Sequence, residues 1–140
     1  MNHDLKHENR RTFSTTGQVT FIRNNESEII LNNYLSLHPL PVTSSSTALI
    51  SAVKNANGVQ LELVIPKGFE PGKDHAVSYE EISKGLVYDW RVFVNGTPYI
   101  AKTGSMNFRY TAGALWVSGS YFFEAEDGNK FAGKFELERT

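Results

Sequence analysis

The sequence predicts an all-β protein: an antiparallel two-layer β-sandwich of about nine strands built from hairpins, with a small β-barrel as the alternative. Three observations carry this prediction. Apolar and polar residues alternate along several short segments, as in strands with one buried face. Asn-Gly and Asp-Gly dipeptides separate some of those segments. Aromatic residues, which favour pleated surfaces, make up 12% of the 140 residues.

Length and composition indicate one domain with its own core. The chain has the common size of a single domain, and 40% of its residues are hydrophobic. Residues 1–12 are polar and lack a periodic apolar face, so we expect a flexible N-terminal arm followed by a single β-sandwich domain over 13–140. The arm contains His3 and His7 at helical spacing with two neighbouring acidic residues, but this pattern lacks the glutamate placement of a metalloprotease.

Charge and cysteine content exclude several functional classes. The formal net charge is −1, with no extended basic run, which disfavours nucleic-acid binding. The absence of cysteine removes disulfides, thiolate metal sites and cysteine nucleophiles. No stretch approaches the length of a transmembrane helix, and the N-terminus lacks the apolar region of a signal peptide. The default prediction is therefore a cytoplasmic protein, with export by a signal-independent route left open.

The turn dipeptides predict three hairpins. Asn57-Gly58, Asn95-Gly96 and Asp127-Gly128 each lie between β-prone segments. Asn-Gly tolerates positive φ at both central positions of a type I′ turn, and we expect Asp127-Gly128 to behave in the same way.

The first third of the domain predicts a further hairpin and a break. The segments "GQVTFIR" (17–23) and "EIILNNYLSL" (28–37) flank the turn-like "NNES". In "HPLPVTSSS" (38–46), two prolines cannot donate to a ladder, so this segment should cross between sheets or run along an edge. A crossing at this point is the reason for preferring the sandwich over an up-and-down barrel. The segment 66–85 reads as a loop with a short strand at "AVSYEEI".

The two-residue period assigns side chains to faces. Four sets are predicted to point inward: Val59, Leu61, Leu63 and Ile65; Tyr88, Trp90, Val92 and Val94; Leu115, Val117, Gly119, Tyr121, Phe123 and Ala125; and Phe131, Gly133, Phe135 and Leu137. Trp116 and Phe122 fall on the opposite face, among serines and a glutamate.

Three glycines share the inward register of the C-terminal strands. Gly119 and Gly133 follow the face assignment, and Gly104 joins them if "GSMNFRY" is the preceding strand. Glycine at an inward position leaves room for a large aromatic ring from the facing sheet or permits a bend. We therefore interpret these glycines as packing devices. The alternative is that they let a ligand approach the backbone.

The ending "VSGSYFFEAEDGNKFAGKFEL" resembles the closing hairpin of small bacterial β-sandwich proteins of uncharacterised function, many of them lipoprotein-like. The resemblance covers the chain from Gly104 onward, and its motif is generic to antiparallel sheets. The chain departs from that pattern in having no lipoprotein signal and no acylated cysteine. The resemblance implies a β-sandwich and carries no catalytic residue across.

Two segments resemble known catalytic motifs but lack features that those motifs require. "GFEPGKD" (68–74) has three residues between its glycines where a phosphate-binding loop has four, and Asp74 stands where that loop has Ser or Thr. A catalytic triad would need an acid, a histidine and a serine, and this segment contains Asp74, His75 and Ser78. Because adjacent residues of an extended segment point to opposite faces, Asp74 cannot orient His75 there. We therefore predict no catalytic residue, no metal site and no cofactor.

Two functions remain. The first is a non-enzymatic binding or protein-interaction module that recognises a carbohydrate, a lipid surface or a protein partner through an aromatic face containing Trp116 and Phe122, with a homodimer as one form of interaction. The alternative is a small barrel-like ligand carrier or enzyme with an interior pocket. Its candidate lining residues are Tyr88, Trp90, Tyr110 and Tyr121, with Asp89 as the carboxylate.

Overall fold

The computed structural model describes residues 14–140, and most of them lie in ten β-strands, so the prediction of an all-β protein is confirmed. The predicted arm at 1–12 and the pair His3 and His7 lie outside the described residues. The strands, numbered in chain order, are β1 (Thr15–Arg23), β2 (Ile29–Ile30), β3 (Tyr34–Pro39), β4 (Ser46–Lys54), β5 (Val59–Pro66), β6 (His75–Ser78), β7 (Arg91–Val94), β8 (Thr97–Tyr110), β9 (Trp116–Ala125) and β10 (Lys130–Arg139). One short α-helix, α1 (Tyr79–Ile82), and three 3-10 turns complete the described part.

All pairings are antiparallel, in the order β2-β1-β10-β9-β8-β7-β5-β4-β3, with β6 added beside β8. Strand β8 is 14 residues long and links two groups of strands. Its first part pairs with β7, and its second part pairs with β6 and β9 beyond a register shift between Ala101 and Thr103. We call β2, β1, β10, β9, β6 and the second part of β8 the terminal layer. The strands β3, β4, β5, β7 and the first part of β8 form the central layer.

The two layers enclose one continuous hydrophobic core, and the sheet does not close into a barrel. Strand β3 approaches β1, where the Leu37 N–H donates to Thr15 Oγ1 at 3.1 Å, but no ladder joins the two strands. The ring centroids of Phe21 and Phe131 are 5.7 Å apart in the core, and those of Phe123 and Phe131 are 5.2 Å apart. Each such buried ring contributes about 1.5–3 kcal/mol through removal of its surface from water.

The prediction of a type I′ turn is confirmed at Asn95-Gly96 and is wrong at Asn57-Gly58, where Asn55–Asn57 forms a 3-10 turn and only Gly58 has positive φ, 63°. Asn95 and Gly96 both have positive φ, 50° and 82°, as a type I′ turn requires. The "NNES" turn has the same character, because Asn24 and Asn25 have φ of 51° and 65° and the Glu26 N–H donates to the Arg23 carbonyl at 2.8 Å.

The prediction of a type I′ turn at Asp127-Gly128 is wrong. Only Gly128 has positive φ there, and the loop closes with the Ala125 N–H donating to the Asn129 carbonyl at 2.9 Å. This is a three-residue connection that ends in a glycine bulge. The Asp127 carboxylate accepts hydrogen bonds from both the backbone N–H and the side-chain amide of Asn129, which stabilises this form.

The segment 38–46 does not cross between layers. Strands β3 and β4 form a hairpin around it, closed by bonds from the Leu40 N–H to the Thr47 carbonyl and from the Ser44 N–H to the Pro41 carbonyl. Pro39 is accommodated because β3 is an edge strand. The chain changes layer between β2 and β3 and along β8, so the sandwich prediction is right although this reason for it is wrong.

Other segment boundaries also differ from expectation. The segments "TPYIAK" and "GSMNFRY" form one continuous strand, β8, whereas "EIILNNYLSL" is divided between β2 and β3. The segment "AVSYEEI" begins in β6 and continues as α1. Two residues predicted to face inward are exposed, Tyr88 at 50% and Leu115 at 51%, because both lie in connections before their strands begin.

The glycines are tightly packed on the side where a Cβ atom would project, mainly against backbone atoms of neighbouring strands. A Cβ atom on Gly119 would lie 1.9 Å from the Asn107 carbonyl oxygen and 2.9 Å from Phe135 Cζ. A Cβ atom on Gly133 would lie 2.0 Å from the Thr20 carbonyl oxygen. Gly104 is equally confined by the backbone and Cβ of the strand beside it. No side chain fits at these positions without moving a neighbouring strand.

Candidate ligand-binding face

Trp116 and Phe122 lie on the outer face of the terminal layer, as predicted. Phe122 is 38% exposed and Trp116 is partly exposed. They are six positions apart on β9, which places them about 20 Å from each other along the strand. Within residues 14–140 neither ring contacts another aromatic ring, and the Trp116 indole N–H donates to no protein atom. Both rings therefore have surface available for a ligand.

Small polar side chains occupy the outward positions between the two rings. These are Ser118 and Ser120 of β9. The ladders place Arg109 and Glu136 beside Ser118, and Asn107 and Lys134 beside Ser120. The result is a flat surface with hydroxyl, amide and charged groups between two apolar ends. We call this surface the Trp116 face.

A shallow groove of about 450 Å³ lies within the Trp116 face. Its lining residues come from β1, β9 and β10 and are Gln18, Thr20, Ser118, Gly119, Lys134, Phe135 and Glu136. The side-chain polar atoms of Gln18, Ser118, Lys134 and Glu136 make no hydrogen bond or ion pair within residues 14–140. The groove thus offers uncommitted donors and acceptors.

The floor of the groove is held rigid by a buried hydrogen-bond arrangement. The Tyr121 hydroxyl donates to the Thr20 carbonyl at 2.8 Å, and Thr20 Oγ1 accepts the Lys134 backbone N–H at 2.9 Å. Burial raises the pKa of the Tyr121 hydroxyl well above its ordinary value, so it stays protonated and can donate. These bonds fix β1 and β10 beneath the exposed side chains.

The residues predicted to line an interior pocket do not surround a common space in the structure. Trp90 is fully buried, donates its indole N–H to the Val64 carbonyl at 2.9 Å and lies 4.9 Å from the Tyr79 ring. Asp89 is exposed and accepts a hydrogen bond from the Tyr79 hydroxyl. Burial first, and then this bond to Asp89, raise the pKa of Tyr79. Tyr88 faces solvent, so it does not line an interior pocket.

The remaining tyrosine of that set also has a structural partner. The Tyr110 hydroxyl donates to the Phe69 carbonyl and so fixes the loop before β6 onto β8. Together with the positions of Tyr88 and Trp90, this leaves the predicted pocket residues without a shared cavity.

The rejected triad is not assembled. Asp74 forms an ion pair with Arg109 at 3.4 Å, the His75 ring nitrogen contacts the Glu70 carbonyl, and Ser78 donates to Glu81. Each side chain is committed to a different neighbour. Among the described residues no cluster of three or more His, Asp or Glu side chains could hold a metal ion, and no helix there is long and apolar enough to span a bilayer.

A second exposed surface was not identified from the sequence. The outer face of the central layer carries two ladder rows, Tyr34, Val53, Gln60, Phe93 and Pro98 in one and Ser36, Ser51, Glu62, Arg91 and Ile100 in the other. We call it the Arg91 face. Alternation alone places Arg91 outward, but no local signal tells that Tyr34, almost sixty residues earlier, lies in the same row as Phe93.

The fold and these faces define a class: an antiparallel β-sandwich with a filled core and an aromatic-bordered outer face. No protein-family model, no curated protein and no solved structure matches the chain. The resemblance of its C-terminal hairpins to small bacterial β-sandwich proteins therefore stays a prediction.

Proposed function

We propose that the chain is a non-enzymatic carbohydrate-binding module that holds a linear polysaccharide along the Trp116 face. One observation carries this proposal: Trp116 and Phe122 project outward from a single strand, six positions apart, and only the small polar side chains of Ser118 and Ser120 stand between them on that strand. A sugar chain could lie along β9 with a pyranose ring against each aromatic side chain.

The chemistry of the surface matches that of a sugar. A pyranose presents apolar C–H groups on its ring faces and hydroxyl groups around its edge. Aromatic rings supply a rigid apolar contact, and a few well-placed polar groups fix orientation. Gln18, Ser118, Lys134 and Glu136 have the free polar atoms that such hydroxyl groups require.

The other partners considered for this face fit less well. A membrane surface favours a basic face with contiguous apolar residues, whereas this face carries Glu136 beside Lys134. The centre of a protein interface is typically depleted of lysine and glutamate, but the middle of this face holds Lys134 and Glu136, neither of which forms an ion pair within residues 14–140. A polar extended ligand accommodates this mixture.

The alternative function, a ligand carrier or enzyme with an interior aromatic pocket, has less support. Trp90 and Tyr121 commit their polar hydrogens to backbone carbonyls, and Tyr88 lies outside the core. A ligand entering there would leave those carbonyls unpaired, at a cost of about 1–3 kcal/mol each.

The test is binding to a panel of soluble linear polysaccharides, measured by titration calorimetry. W116A and F122A should each weaken binding at least about tenfold, because each removes one stacking surface. V42A is the control, since Val42 is an exposed apolar residue in the β3–β4 connection, outside both the Trp116 face and the Arg91 face. Absence of binding to every polysaccharide, or unchanged affinity in folded W116A, contradicts the proposal.

A further inference from the structure

The Arg91 face differs in composition from the Trp116 face. Its two rows contain five large apolar or aromatic residues, and Glu62 and Arg91 are the charged residues among the ten. Tyr34 is 56% exposed and Ile100 is 48% exposed. Aromatic residues and arginine are enriched at the centre of protein interfaces.

The two charged residues form an ion pair through one guanidinium nitrogen and one carboxylate oxygen. Arg91 Nε lies 2.5 Å from Glu62 Oε1. The terminal guanidinium nitrogens of Arg91 and the second carboxylate oxygen of Glu62 have no partner within residues 14–140. The guanidinium lies 5.6 Å from the ring centroids of both Tyr88 and Phe93, which hold it in place.

The pair is also positioned to act across an interface. The side chains of Arg91 and Glu62 keep 34% and 16% of their surface exposed. Both lie in the row that ends at Ile100, beside the row that contains Phe93. An incoming protein surface would desolvate them, and their unused donors and acceptor would then require partners.

We propose that the chain forms a two-fold symmetric homodimer through the Arg91 face. A two-fold axis places Glu62 of one copy against Arg91 of the other, and the reverse contact follows by symmetry. The unused guanidinium nitrogens and carboxylate oxygens then pair across the interface. A different protein would have to supply both charges in the same arrangement, whereas a second copy carries them already.

The dimer has a consequence for the proposed function, and this consequence alone depends on carbohydrate binding. Joining two central layers leaves both terminal layers on the outside. Each dimer then presents two Trp116 faces, directed away from each other. Two linked sites bind a repetitive ligand with higher avidity than one site does.

The test measures molar mass over a range of concentrations by light scattering coupled to size-exclusion chromatography. The wild-type chain should be a dimer that dissociates on dilution. E62R places two cations on each face, and R91E places two anions there, so each variant alone should be a monomer. An equimolar mixture of E62R and R91E should restore a dimer, because each face then meets its complement.

Two further variants separate loss of the interface from loss of the fold. I100K introduces a charge at an exposed position of the Arg91 face, where the native side chain makes no hydrogen bond. The added charge would be buried in the dimer, so I100K should raise the dimer dissociation constant at least about tenfold. E136R makes a comparable charge change on the Trp116 face and should leave the dimer unchanged. Circular dichroism checks that every variant is folded.

Several outcomes overturn the proposal. They are a monomeric wild-type chain at every concentration, dimers that persist in folded E62R and in I100K, and a mixture of the two charge variants that stays monomeric. Loss of the dimer with E136R would place the interface on the Trp116 face instead. Because these readouts do not use a sugar, the dimer can fail while carbohydrate binding holds, and the reverse.

Discussion

The Tyr121 hydroxyl reaches across Gly133 and donates a hydrogen bond to the Thr20 carbonyl at 2.8 Å. This contact joins residues from β9 and β1 across the intervening strand β10. The regular β1–β10 pairing is interrupted at this point, since Val19 pairs with Phe135 and the next ladder pair is Ile22 with Ala132. A side-chain hydroxyl thus replaces a ladder bond directly beneath the Trp116 face.

The first prediction is that G133A destabilises the protein by about 2–3 kcal/mol, because an added methyl group overpacks a closed site and displaces the tyrosine hydroxyl. A Cβ atom there would lie 2.8 Å from Tyr121 Oη as well as against the Thr20 carbonyl. Urea denaturation measures the change. G85A is the control, because Gly85 has no atom near a new Cβ and no positive φ. Equal stability of the two variants would refute the prediction.

The second prediction concerns Tyr121 and alkaline pH. Burial raises the pKa of this hydroxyl, so the folded protein holds the proton more tightly than the unfolded chain does. The stability that depends on the neutral hydroxyl is therefore complete below about pH 10 and is lost as the pH rises above that value. Y121F should show a shallower loss of unfolding free energy above pH 10.

At neutral pH the same variant should be about 1–3 kcal/mol less stable, because the buried Thr20 carbonyl loses its donor. Y79F serves as a comparison, since the pKa of Tyr79 is also raised, by burial and by its bond to Asp89. Denaturation at a series of pH values measures both effects. Parallel profiles for the wild type and Y121F would show that Tyr121 does not carry the alkaline loss.

The local parts of the fold and site were accessible from the sequence. Asn95 and Gly96 adopt the predicted turn because they fill a two-residue connection and both tolerate positive φ, whereas Asn57-Gly58 lies in a longer connection and only its glycine has positive φ. Trp116 and Phe122 face outward because alternation holds within one strand. The Tyr121 contact to Thr20 was not accessible, because it depends on a register between strands 101 positions apart. The prediction that Tyr88 faces inward is wrong because β7 begins only at Arg91, so the alternation of the strand does not extend back to Tyr88.

The third prediction compares the two tryptophans. W90F should cost about 2–4 kcal/mol, because it leaves a cavity in the core and removes the donor to the Val64 carbonyl. W116F should change stability by less than about 1 kcal/mol, because Trp116 is partly exposed and its indole N–H has no protein acceptor within 14–140. Thermal denaturation measures both. Similar costs for the two substitutions would contradict the assignment of one ring to the core and the other to the surface.

The last prediction fills the groove instead of removing its rings. S118Y places a bulky side chain among Gln18, Lys134 and Glu136, so it should weaken polysaccharide binding at least about tenfold. Ser118 makes no side-chain hydrogen bond within 14–140, and stability should therefore change by less than about 0.5 kcal/mol. N57Y, an equally bulky change in the exposed β4–β5 turn, should leave affinity unchanged. Calorimetric titration of both folded variants decides the matter: if S118Y binds as tightly as N57Y, the sugar does not occupy the groove.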